Sequence, residues 1–170
     1  MSERWKPSVT VAAIAAREVD GRLEFLLVEE ETPEGLRLNN PAGHLDPGES
    51  PEQAVVREAL EETARVFTPT ALIGVYLSRF VRPKRGEDVT YLRIAYAGSV
   101  GAPDPRRALD DGIVQTVWMT VEEVRASRPR HRSALVLQSI DDWLAGRAFP
   151  LDVVRTDPSL YRPDVKDGSA

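Results

Sequence analysis

Between Ser50 and about Val66, the residues Val55, Val56, Ala59, Leu60, Thr63 and Val66 fall on one side of a helix turning about 100° per residue. This stripe predicts a helix packed against a core. Its start is marked in several ways: Ser50 is suited to the N-cap, Pro51 to the first helical position, Glu52 to the first turn, and Gln53 to the reciprocal place of a capping box. Pro69 is expected to end it. On the same wheel Glu58, Glu61 and Glu62 share an arc of about 100°, facing away from the apolar stripe.

A run of glutamates on a helix can be no more than a solvated face. Here, however, like charges three and four residues apart oppose the helix by about 0.2–0.5 kcal/mol per pair. Within the helix the only cation placed to relieve them is Arg65, four residues after Glu61. A cation bound from solution would relieve all three. Hard divalent ions take carboxylate oxygens, and Mg²⁺ commonly combines one or two carboxylates with waters and substrate phosphates.

The rest of the chain supplies strands. Ser8–Arg17 and Leu23–Glu29, around Val19-Asp20-Gly21, predict a hairpin. Glu30–Asn40 reads as a loop leading into a short strand at Leu36–Leu38. Thr70–Phe80 and Val89–Ala97 predict a second hairpin whose polar loop, Val81 to Asp88, carries Arg82, Lys84, Arg85, Glu87 and Asp88. Val114–Met119 reads as a strand, Thr120–Ala126 as a short helix boxed by Thr120 and Glu123, and Ser133–Ala145 as a longer helix ended by Gly146. Strands and helices alternate, so the expected class is α/β or α+β, with a mixed sheet between helices. There is no internal repeat or shift in composition. Residues 1–153 are therefore expected to form one domain, followed by a partly disordered tail over 154–170, where Pro158, Pro163 and Gly168 fall.

Charge and composition exclude some partners. A net charge of -5 disfavours nucleic acid polymers, which are bound by basic surfaces. No apolar run approaches the roughly 20 residues of a membrane span, and the N-terminal residues do not resemble a signal peptide. The absence of cysteine removes thiolate chemistry and disulfides. The expectation is a cytoplasmic protein, monomer or homodimer, with a small-molecule partner.

Gly43, Glu49, Arg57, Glu58, Glu61 and Glu62 fall on fixed places of the Nudix box: Gly, five residues, Glu, seven residues, Arg-Glu-aliphatic, one residue, Glu-Glu, one residue, Gly-aliphatic. With each identity having a chance on the order of 0.05–0.1, an accidental match at one register is on the order of one in ten million. The chain therefore resembles the Nudix hydrolases. It departs at Ala64, where the box has glycine, and at Arg65, where it has an aliphatic residue. Box glycine leaves the helix with positive φ, so Ala64 implies a longer helix or another turn.

The resemblance implies Glu58, Glu61 and Glu62 as ligands of Mg²⁺ or Mn²⁺, joined by the backbone carbonyl of Ala42. It makes Arg57 the residue that orients a carboxylate and Glu49 the tie between loop and helix. The metal would neutralise phosphate oxygens and acidify a water for in-line attack on phosphorus. Glu58, Asp110, Asp111 and Asp88, in that order, are candidates to activate that water. His44 is adjacent to the box and could touch phosphate, while His131 reads as a surface residue.

Residues 7–153 resemble more narrowly the bacterial Nudix phosphatases acting on hydroxymethylpyrimidine pyrophosphate and nucleoside di- and triphosphates. The resemblance rests on Pro7–Ala13, Leu26–Glu31, Pro41–Ser50, Val117-Trp118-Met119 and Gly146–Leu151. Asn39, Asn40, Arg79 and Tyr91 are candidates to hold base or sugar, and Trp5 and Trp118 read as packing residues. Two alternatives stand beside this: a pyrophosphohydrolase of nucleotide sugars or dinucleoside polyphosphates, and a nucleotide-sensing regulatory Nudix domain without catalysis.

Overall fold

The computed structural model describes residues 4–83 and 86–161. Its centre is β1 (Ser8–Val19), in which Val11 to Ala15 are all buried. Such a run needs cover on both faces of a sheet. Alternation divides it: Ala12 and Ile14 enter one core cluster, and Val11, Ala13 and Ala15 the other. β2 (Arg22–Thr32) returns antiparallel through Asp20 and Gly21, at φ 49 and 73°, and divides likewise, with Phe25 and Leu27 on one side and Leu26 on the other.

Seven strands complete the mixed sheet, in the order β3-β2-β1-β6-β5, with β4 on β1 and β7 on β2. β3 (Gly35–Asn39) lies on β2 and β4 (Ala42–His44) on β1, so Asn40 and Pro41 carry the chain from one half of the sheet to the other. β5 (Phe67–Arg82) and β6 (Glu87–Val100) form the long hairpin, and β6 runs parallel to β1. β7 (Ile113–Thr120) closes the far edge. Helix α1 (Pro51–Thr63) covers one face through Ala54, Val55 and Ala59. On the other face α2 (Val121–Ala126) supplies Val124, and α3 (Leu135–Leu144) supplies Leu135, Val136 and Ile140. The expected sheet between helices is present. Each large apolar side chain fully buried in it is worth about 1.5–3 kcal/mol.

Both expected capping boxes form, at Ser50/Gln53 and Thr120/Glu123. Several boundaries differ from expectation. α1 stops at Thr63 rather than near Val66, which is 60% exposed. Ala64 itself takes the left-handed conformation of the box glycine, at φ 54°. The loop after β6 makes this exit possible: Asp110 N–H donates to the Glu61 carbonyl (3.0 Å), Asp104 N–H to that of Ala64 (2.8 Å) and Gly101 N–H to that of Val66 (3.0 Å). Backbone groups left unpaired at the helix end are thereby satisfied.

Pro69 does not terminate the helix. It lies within β5, an edge strand, at a shift in register, where its missing N–H is tolerated. β2 continues to Thr32, so the loop expected from Glu30 is a tight turn. The polar loop of the second hairpin is likewise shortened, since Val81 and Arg82 belong to β5 and Glu87 and Asp88 to β6, with Arg82 bonded to Glu87 and Glu34. Lys84 and Arg85 lie outside the described residues. So do residues 162–170 of the expected tail. Of its remainder, Val154 packs beside the α1-side cluster and Pro158–Tyr161 form a 3-10 turn. Among the described residues no helix is long and apolar enough to cross a membrane.

Candidate active site

The box residues meet where α1 packs on β4. Glu62 reaches past the helix surface to accept the Ala42 N–H at 2.8 Å, and Glu58 lies so close to Gly43 that a Cβ there would collide with its carboxylate. Both glutamates are buried, at 8% and 9% exposure for Glu58 and Glu62, and only Glu61 remains partly in solvent. The sequence placed all three on an outward face. The structure turns two of them inward, because β4 covers that flank of the helix with residues too small to exclude them.

Burial, foremost, raises the pKa of both carboxyls, and it pushes Glu62 up to about 8 against the partial relief of the Ala42 N–H. Asp110 adds to both, so its carboxylate lies near enough for its field to reach the pair. Arg57 is the fastening. Its Nε and Nη2 donate to Glu49 at 3.0 and 2.6 Å, Nη1 to Glu58 and Glu61 at 2.7 and 3.1 Å, and Nη2 also to the His44 carbonyl at 2.9 Å. Glu49 in turn accepts the Asp46 N–H at 2.8 Å. These bonds hold the Glu49 carboxyl below the ordinary range, with Arg57 the main cause. Apart from an ion bound from solution, the cation expected within the helix to relieve the glutamates was Arg65. Instead Arg57 does so, and Arg65 donates to the Gly101 carbonyl.

The donor set suits a hard divalent cation: carboxylate oxygens of Glu58, Glu61 and Glu62, two of them buried at a cost that a cation would offset, beside the half-buried backbone of β4 at Ala42 and Gly43. Among the described residues no three acidic or histidine side chains already converge as a cage, because Arg57 draws Glu58 and Glu61 to itself.

A cavity of about 210 Å³ opens next to this cluster, sharing Ala42, Gly43 and His44 with it. Asn39 and Tyr91 line it as well, and the His44 and Tyr91 rings stand 6.3 Å apart. Asn40 and Arg79 do not line it. Asn40 is buried and accepts from Ser139 at 3.3 Å, and Arg79 holds Asp88 through two bonds of 2.7 Å on an exposed part of the hairpin. Asp88 is thereby committed, whereas Asp110 and Asp111 are exposed near the end of α1. His131 is half-buried rather than superficial, its Nε2 within 2.9 Å of the Val124 carbonyl. Trp118 packs between core and surface, with Arg17 stacked over it at 4.1 Å, but Trp5 is 69% exposed rather than packed in the core.

The sequence reading missed Glu30, Arg93 and Arg132, all of which line the cavity. Arg93 is 8% exposed, and burial brings its pKa down to about 10. The signal was present: one arginine inside the apolar run Leu92–Ala97.

The sequence profile of the NUDIX domain matches residues 6–138. The chain belongs to the Nudix hydrolases. It is 31% identical over 150 residues to phosphatase NudJ of Escherichia coli, covering 88% of this chain and 92% of that protein. A NUDIX hydrolase from Nitrosomonas europaea superposes with a TM-score of 0.78 at 45% identity, covering 89% of this chain and 98% of that one. The NUDIX domain of Shewanella oneidensis NrtR, solved with ADP-ribose, shares the fold at a TM-score of 0.63 and 23% identity, over 84% of this chain and 90% of that one. Nudix hydrolases act on small phosphorylated substrates and generally use a divalent metal.

Proposed function

We propose that this Nudix hydrolase cleaves a phosphoanhydride bond of a nucleoside di- or triphosphate, or of a small pyrophosphorylated metabolite, with Mg²⁺ or Mn²⁺ held by Glu58, Glu61, Glu62 and the Ala42 carbonyl. The observation that carries the reading is the buried pair Glu58 and Glu62, kept against β4 although burial opposes their charge. A structural role alone would be met more cheaply by apolar side chains. The bound ion supplies positive charge for the phosphate oxygens and acidifies the attacking water.

The chain's residues arrange the rest. Arg57 fixes Glu58 and Glu61 in one orientation and ties the helix to the Asp46–Glu49 loop through Glu49. Glu58, and after it Asp110 and Asp111, take the proton of the attacking water. Asp88, bound to Arg79, ranks last. Asn39 and Tyr91 contact the group beyond the phosphates. Asn40 and Arg79, which do not line the cavity, act on the substrate only indirectly, Asn40 through its bond with Ser139 and Arg79 through Asp88. The working unit is one domain over residues 1–153, cytoplasmic, monomeric or homodimeric, with no polymer or membrane as partner.

The test is release of orthophosphate and pyrophosphate, with Mg²⁺ and with EDTA, from nucleoside di- and triphosphates, hydroxymethylpyrimidine pyrophosphate, nucleotide sugars and dinucleoside polyphosphates. Mg²⁺-dependent orthophosphate release supports the phosphatase reading. Monophosphate pairs from nucleotide sugars or dinucleoside polyphosphates replace it with the pyrophosphohydrolase reading. Tight binding of one compound without turnover replaces it with a regulatory one.

A further inference from the structure

The cavity beside the carboxylate cluster gathers polar atoms that the protein itself leaves unpaired. Arg93 Nε and Nη1, Asn39 Oδ1, Glu30 Oε1 and Thr10 Oγ1 are all buried without a hydrogen-bond partner, and all four residues line it. A buried polar group without a partner costs about 1–3 kcal/mol. Several in one cavity of a folded protein therefore point to a ligand that completes them. Glu30 Oε1 has the Arg132 guanidinium at 3.6 Å, beyond hydrogen-bond distance, and feels the charge of Arg93 as well. Arg82, at the rim, is already bonded to Glu34 and Glu87.

The mixture of groups identifies the ligand's chemistry. Arg93 offers donors. Glu30 and Asn39 offer acceptors. A phosphate or carboxylate in this cavity would satisfy Arg93 but face the Glu30 carboxylate and Asn39 Oδ1 with like-signed oxygens. An apolar group would satisfy neither. A flat heterocycle with an amino group next to a ring nitrogen or carbonyl presents both a donor and an acceptor along one edge, and about 210 Å³ with Phe80 and Tyr91 in the wall suits one such ring.

We propose that this cavity selects substrates whose organic group is an amino-bearing heterocycle, with Arg93 donating to the ring acceptor and Glu30 and Asn39 accepting from the amine. It rests on the hydrolase reading for its link to turnover and deepens it, because Ala42, Gly43 and His44 border both cavity and cluster. Bases with a carbonyl in place of the amine put oxygen against Glu30 and are rejected.

Binding tests this independently of catalysis. In EDTA at pH 8, on the alkaline side because burial raises the Glu30 pKa, the wild-type protein is titrated calorimetrically with cytidine against uridine 5′-monophosphate and adenosine against inosine 5′-monophosphate. Within each pair the aminated nucleotide binds about tenfold or more tightly. Glu30→Gln, whose amide can turn to donate, brings each pair to within about threefold. Equal affinities in the wild type, or inorganic phosphate displacing cytidine monophosphate at equal concentration, overturn the proposal. Preference for the aminated members with no Mg²⁺-dependent hydrolysis of any nucleoside di- or triphosphate, nucleotide sugar, dinucleoside polyphosphate or hydroxymethylpyrimidine pyrophosphate leaves the cavity assignment standing and removes the hydrolase reading. Hydrolysis with equal binding within each pair does the reverse.

Discussion

Replacing Glu62 by glutamine should make the metal-free protein more stable and the enzyme inactive. In EDTA the carboxyl of Glu62 has its pKa raised from 4.5 to about 8, chiefly by burial. A raised carboxyl binds a proton in the folded state that the unfolded chain has already lost, so its contribution is complete below pH 4.5 and is lost as pH climbs through 8. The whole rise corresponds to about 5 kcal/mol. Glutamine keeps an oxygen for the Ala42 N–H but replaces a charge-assisted bond with a neutral one, returning part of that gain. The net expectation at pH 9 is about 2–4 kcal/mol of added stability, or a melting temperature higher by roughly 5–15 °C. The difference should shrink toward zero near pH 4.5. Mg²⁺ should raise the wild-type melting temperature and leave that of Glu62→Gln unchanged, and the loss of turnover should be about 10³-fold, or about 4 kcal/mol of barrier. Thermal melts over pH 4.5–9, with and without Mg²⁺, read all of this. A variant that melts at or below wild type in EDTA at pH 9 would refute the argument, because an ionised carboxylate so buried cannot then be costly.

Other substitutions probe the same packing. Gly43→Ala drives a Cβ into the Glu58 carboxylate; it should reduce turnover by about 10²-fold while lowering stability by only about 1–2 kcal/mol, and retention of full activity in a kinetic assay would show that the close approach is incidental. Arg57→Lys keeps the charge but loses the fork that joins Glu49, Glu58 and Glu61; turnover should fall by tenfold or more at a stability change of about 1–2 kcal/mol, measured by denaturant unfolding. Ser50→Ala removes the capping box at the start of α1 and should lower stability by about 1 kcal/mol with Mg²⁺-dependent activity intact.

The helices and strands were legible wherever pattern and punctuation agreed. Ser50 and Gln53 announced the start of α1, Thr120 and Glu123 that of α2, and Asp20-Gly21 the first hairpin, because each is local chemistry between near neighbours. The end of α1 was not legible. Ala64 adopts a conformation whose cost, about 1–2 kcal/mol for a residue with a Cβ, is met by backbone bonds from Gly101, Asp104 and Asp110, residues that only the fold brings there. Pro69 misled for a similar reason. It breaks a helix and a central strand, but nothing local states that β5 will be an edge.

The site divides in the same way. The spacing of Gly43, Glu49, Arg57, Glu58, Glu61 and Glu62 could be read as a unit because one loop and one helix carry it. What the wheel could not show was which flank of the helix β4 would cover, and so Glu58 and Glu62 looked exposed when they are buried. The cavity was still further out of reach. Glu30 is the middle of three consecutive glutamates on β2, Asn39 ends β3, and Arg93 lies in the middle of β6; their separations in sequence carry no period, and only sheet order assembles them. Arg93 was the one residue with a readable anomaly, a charge where alternation demands an apolar side chain. A buried arginine in such a place is costly unless something pairs with it. That cost, rather than any motif, is the sign that a strand position has been given over to binding.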